Sequence, residues 1–125
     1  MLKLSQVLKI NALSSGITGL GLVLFAETAA TLFEVQPTAP FIATGIFLML
    51  FASFVYYNAV QNPVKTTQVR LIIILDSLWV LGSALAIFLL YPVVSFLGIA
   101  LIGGVALWVL AMAILQQKGL TLIGS

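Results

Sequence analysis

Apolar and polar positions along the chain separate it into four long apolar runs, Ala12–Phe33, Phe41–Val60, Leu71–Tyr91 and Val93–Leu115, each of 20 or more residues. At about 1.5 Å per residue, a helix of that length crosses a hydrocarbon core of ~30 Å. In hydrocarbon every backbone amide must find its partner within the protein, so each run is expected to be a helix. The clusters Ile72–Ile73–Ile74 and Val93–Val94 would favour strands in water, and the membrane setting overrides them. Helices are expected over about residues 12–33, 41–60, 69–91 and 93–116. Residues 1–125 then form a single transmembrane domain: an all-α membrane protein built as an antiparallel four-helix bundle.

The breaks between runs carry turn chemistry. "EVQPTAP" holds two prolines, and Pro40 suits the first turn of the second helix. "QNPVKTT" contains Asn62–Pro63, and Thr66 or Thr67 is a candidate N-cap for the third. "YPVVS" is so short that the third and fourth helices must form a tight hairpin; one long helix kinked at Pro92 would exceed any bilayer. Residues 2–10 alternate Leu2, Leu4, Val7, Leu8 and Ile10 with Lys3 and Lys9, the pattern of a short interfacial helix. They also resemble the start of a signal peptide, but the apolar run continues to Phe33, well past the ~7–15 residues of such a segment.

Composition sharpens this picture. The chain is 62% apolar and 6% charged, against about 25% charged in soluble domains, so its solvent is lipid. It has no Cys and no His, which removes disulfides, thiolate and imidazole chemistry and the usual zinc, haem and iron–sulfur ligands. A net charge of +2 is too small to argue for nucleic acid. Placement says more than total: Lys3, Lys9, Lys65, Arg70 and Lys118 all fall on one side of the expected topology, and the 34–40 and 91–95 connections have no cation. The positive-inside rule then puts both termini in the cytoplasm of a multi-pass inner-membrane protein.

Helices in lipid associate through small residues that permit close approach. Such residues recur as Ala12-x3-Gly16 and Ser15-x3-Gly19 in the first helix, Gly45 and Ala52 in the second, Gly82-x3-Ala86 in the third and Ala100-x3-Gly104 in the fourth. Most are expected to pack within the bundle. Ala100 and Gly104 are the candidates for contact with a second copy or a larger membrane complex. Tyr57 and Tyr91 sit near helix ends as interfacial anchors, and Trp79 and Trp108 lie deeper. No cofactor is assigned to them.

Among only three acidic residues, Asp76 stands inside an apolar run, five residues past Leu71 and so about 8 Å into the core. Insertion costs about 2.5–3.5 kcal/mol for such a residue, which the neighbouring Leu and Ile offset at ~0.3–0.6 each. The same depth holds Asn11, Ser14, Ser15 and Thr18. Asn11, Ser14 and Thr18 fall within about 60° on a helical wheel. Asn58 lies near the same membrane face. Asp76, Asn11, Ser14, Asn58 and Thr18 are therefore a candidate polar pocket. It is either a hydrogen-bonded clasp fixing helix register or a protonatable or cation-binding site. Glu27, six residues before Phe33, is a candidate acid of the outer leaflet, about 10–15 Å from Asp76 in depth within a ~30 Å core. That gap is too wide for a carboxylate dyad.

"FAETAAT" superficially resembles the first helix of small multidrug resistance transporters. Glu27 comes late in its helix for that family, the family's Trp/Tyr/Gly pattern in the third helix is missing, and the cation asymmetry opposes a dual topology. "LKINALSSGITGLGLVLF", "GIFLMLFASFVYYNA", "RLIIILDSLWVLGS" and "LQQKGL" together resemble a group of small bacterial four-helix inner-membrane proteins of uncharacterised activity, with LD-x-LWV-x-GS carrying most of the likeness. That resemblance implies topology and address and no activity. Paired carboxylates, nucleophile–base pairs and phosphate loops are not seen, so the chain is expected not to be an enzyme. The expected function is a non-catalytic accessory subunit, assembly factor or oligomeric scaffold. The alternatives are a small transporter or channel using Asp76, and a lipid- or pigment-binding bundle.

Overall fold

A computed structural model of the chain describes residues 3–61, 65–91 and 93–122. Leu2, the Asn62–Pro63 turn and Pro92 lie outside the described residues, and with them the sequence readings made there. The described residues form five helices and no strand: α1 (Leu4–Leu24), α2 (Ala26–Phe33), α3 (Ala39–Ala59), α4 (Thr66–Leu90) and α5 (Phe96–Leu122). Four of them, all but α2, are long and apolar enough to cross a membrane.

The elements differ from the expected boundaries in three instructive ways. The segment expected as a separate interfacial helix is continuous with the first span, since α1 begins at Leu4. The expected 12–33 helix is instead divided at Phe25, whose backbone departs to φ −120°, ψ 38°. The hydrogen-bond ladder survives that departure: Phe25 N–H donates to the Gly21 carbonyl at 2.8 Å, and Ala29 N–H to the Phe25 carbonyl at 2.9 Å. At the far end α5 runs on to Leu122 because Gln116, Gln117 and Lys118 are good helix formers even though they end the apolar run.

The helix ends are set locally. α2 stops at Glu34, which takes a left-handed conformation (φ 58°, ψ 43°) while Val35 N–H reaches back to the Ala30 carbonyl, closing the turn in the Schellman manner. Pro40 stands in the first turn of α3, where its missing N–H costs nothing. The cap of α4 is Lys65 without a side-chain bond, so Thr66 and Thr67 lie inside the first turn rather than capping it. Ser95 caps α5 by accepting from Gly98 N–H at 3.0 Å, donates its hydroxyl to the Leu32 carbonyl at 2.6 Å, and sends its own N–H to the Phe33 carbonyl at 3.0 Å. One serine thereby ties the start of α5 to the end of α2.

Packing follows two extensive pairings, α1 with α3 and α4 with α5, while contact between α3 and α4 is slight. Along α1 and α3, Gly16 meets Ala52 and Gly19 meets Gly45, and beyond α1 the Phe33 ring at the end of α2 meets that of Phe41 edge to face at 5.1 Å. Along α4 and α5, Asp76 meets Gln116 and Ile87 meets Gly103. In each pairing the numbers rise on one helix as they fall on the other. At Gly19 and Gly45 the two backbones come together. A methyl group at Gly19 would stand 2.6 Å from the Gly45 carbonyl oxygen, and one at Gly45 would stand 2.5 Å from that of Gly19. Only hydrogen fits between these backbones.

Leu4, Leu8, Val55, Ala59, Val69, Ile72 and Leu120 form a buried cluster where the start of α1, the end of α3, the start of α4 and the end of α5 converge. Lys3, Lys65, Arg70 and Lys118 therefore share one end of the molecule. Elsewhere the surface is apolar, with Leu13, Leu24, Leu81 and Phe88 exposed, as expected of helices that face lipid.

Candidate functional site

Four polar side chains are buried among these apolar helices: Asn11, Asn58, Asp76 and Gln116. Three of them close a ring. Asn11 Nδ2 donates to Asp76 Oδ2 at 3.0 Å and to Gln116 Oε1 at 2.7 Å, and Gln116 Nε2 donates to Asp76 Oδ2 at 2.8 Å. The members come from α1, α4 and α5, and each is 3% exposed or less. Both donors to the carboxylate are neutral amides. Asn11 is the hub, because Ser15 Oγ also donates to its Oδ1 at 3.2 Å.

Helical spacing explains how α1 delivers this arrangement. Asn11, Ser14, Ser15 and Thr18 stand at i, i+3, i+4 and i+7 and so share a face. Ser14 Oγ donates to the Ile10 carbonyl at 2.8 Å and accepts from Trp108 Nε1 at 3.0 Å, a second link from α1 to α5. Asn58, grouped with these residues on the sequence, is fully buried but outside the ring: its Nδ2 donates within α3 to the Phe54 carbonyl at 2.9 Å, and its Oδ1 has no partner among the described residues. Glu27 is exposed in the first turn of α2, where its backbone carbonyl accepts from Thr31 Oγ1. Gln116 is the member that the sequence reading missed. The signal for it was a glutamine in helical phase with Trp108 and Met112, at the edge of the apolar run.

Beside the ring is a cavity of about 390 Å³, open to the side and mostly apolar, between α1, α3, α4 and α5. Its walls include Ser14, Ser15 and Thr18 from α1, Trp79 from α4, and Gly104 and Trp108 from α5. Trp79 lies flat against Phe47, with ring centroids 6.4 Å apart and planes within 6°. Its indole N–H is buried and finds no acceptor among the described residues. Among those residues no group of three or more acidic side chains gathers as it would to hold a metal ion. No protein-family model matches the chain, and neither a curated protein nor a solved structure is detectably similar to it.

Proposed function

We propose that this chain is a non-catalytic integral membrane protein of four antiparallel spans that serves as an accessory subunit, assembly factor or oligomeric scaffold. The observation that carries the reading is the ring: the Asp76 carboxylate accepts from amides on two other helices. Such bonds contribute up to about 1–2 kcal/mol each between helices in lipid, and they fix rotation and register that apolar contacts alone leave loose. A carboxylate engaged in this way works as a clasp. The gathering of Lys3, Lys65, Arg70 and Lys118 at one end supports an orientation with both termini in the cytoplasm. The LD-x-LWV-x-GS stretch supports a bacterial inner-membrane address.

Asp76→Asn tests the clasp against the transporter reading. The expected result is an unfolding free energy within about 1 kcal/mol of the unmodified protein, because the Asn oxygen can accept both amide bonds that Asp76 Oδ2 accepts, with proton and cation flux in proteoliposomes at the level of empty vesicles for both proteins. If the unmodified protein carries a proton- or cation-linked flux that Asp76→Asn abolishes without changing stability, the clasp reading falls and transport through Asp76 replaces it.

A further inference from the structure

The cations gathered at one end of the molecule are left uncompensated by the fold. Lys3, Lys9, Lys65, Arg70 and Lys118 are all exposed, and they come from α1 and its cap, from α4 and its cap, and from α5. Among the described residues none of the five is held in an ion pair. No acidic side chain answers them at that end. Glu27 and Glu34 belong to α2, whose end is tied to the start of α5, far from Lys118. Asp76 is buried in its amide ring. Like charges clustered in this way attract anions. Three of the cations also head an apolar column. Leu13 and Ile17 follow Lys9 by four and eight residues, and Ile74 and Leu78 follow Arg70 by the same steps. Ile114 and Leu110 precede Lys118 by four and eight. All six are exposed, and the spacing keeps each column on its cation's face of the helix. A phosphate at the cation with hydrocarbon along the column fits that shape. Free phosphate, an acidic peptide or a nucleic acid would leave the columns unused.

From these features we infer that the cationic end selects anionic glycerophospholipid from the leaflet it faces, with headgroup phosphates at Lys9, Arg70 and Lys118 and an acyl chain along the column beside each. Long Lys and Arg stems span the distance from apolar surface to headgroup layer. Near an anionic membrane surface each cation contributes about fivefold in affinity (~1 kcal/mol). The inference gives the accessory reading a partner. It rests on that reading's four membrane spans and not on the ring, so it is independent of the Asp76→Asn outcome.

The full chain is reconstituted in phosphatidylcholine bilayers, and electron spin resonance measures the protein-immobilised fraction of spin-labelled lipid. Phosphatidylglycerol is compared with phosphatidylcholine carrying the same chains. At low salt a preference for phosphatidylglycerol of at least about twofold, averaged over the lipid shell, is expected. It should shrink as salt rises from about 0.05 M to about 1 M, where the screening length falls to ~3 Å. Lys9→Gln, Arg70→Gln and Lys118→Gln together should remove most of the preference, and Glu27→Gln should leave it unchanged. The three cations are exposed, so their replacement disturbs no packing, and the salt series on the unmodified protein decides the matter if the triple variant does not assemble. Equal immobilisation of the two lipids at low salt overturns the inference, as does a preference that neither salt nor the triple variant reduces. It is overturned equally if inorganic phosphate abolishes the preference at matched ionic strength, which would make the site one for free phosphate. Immobilisation of neither lipid would overturn it through the four-span reading itself, so the two failures are told apart.

Discussion

Asn11 illustrates how much one amide can hold at the residue scale. Its NH2 group serves two acceptors on two helices while its oxygen takes the Ser15 hydroxyl. Asn11→Leu would leave Asp76 with one donor and Gln116 Oε1 with none. It is expected to cost about 1–3 kcal/mol, the penalty for buried polar groups stranded without partners. Replacing Asn11, Asp76 and Gln116 by Leu together removes the stranded groups as a set and should cost less than Asn11→Leu alone. Thermal unfolding in detergent compares the two proteins. A triple variant less stable than the single one would mean that the ring contributes beyond avoiding orphans. Asp76 and Asn11 were legible in the sequence because a carboxylate in an apolar run must face polar company, and the 11–14–18 face supplies it. Gln116 was not, because a glutamine at the end of an apolar run reads equally well as an interfacial residue.

At the scale of elements, hydropathy marked the helices long and apolar enough to cross a membrane, and hydrogen bonding decided where they end. α1 and α5 both outrun their apolar cores, since helix formation continues through Ser, Gln and Lys until a cap stops it. The departure at Phe25 interrupts a run with no Pro to announce it. Ser95 shows an end that is local and tertiary at once, since its hydroxyl accepts from Gly98 N–H while donating to the Leu32 carbonyl. Ser95→Ala should therefore lower stability by about 0.5–2 kcal/mol, the usual range for a lost N-cap. Ser95→Gly keeps most of the worth of a cap while losing the hydroxyl bond to the Leu32 carbonyl, so its own melting shift reads the bridge, and its difference from Ser95→Ala reads the cap. Equal melting temperatures for Ser95→Ala and the unmodified protein would show that the bridge to α2 carries no energy.

At the scale of the whole molecule, two helix pairs meet through the ring and a shared apolar cluster at the cationic end, and the cavity occupies the space between them above it. The proposed orientation predicts which loops face which compartment. Because the chain has no cysteine, single cysteines report unambiguously. An impermeant maleimide should label Gln36→Cys on intact cells, and Thr67→Cys only after permeabilisation. The reverse pattern, or labelling of both from one side, would overturn the orientation.

Sequence alone determined that this chain is helical, with four helices long and apolar enough to cross a membrane, because each coincides with a run of 20 or more apolar residues. It also singled out Asp76, because a charge in hydrocarbon must be accounted for. Only the tertiary structure decided that Gln116 rather than Asn58 completes the ring, that Gly19 and Gly45 bring two backbones together, and that Trp79, Trp108 and Thr18 share one cavity. Periodicity along one helix says which residues share a face. Which face meets which depends on the rotation and offset of separate helices, and those are set by all the contacts at once.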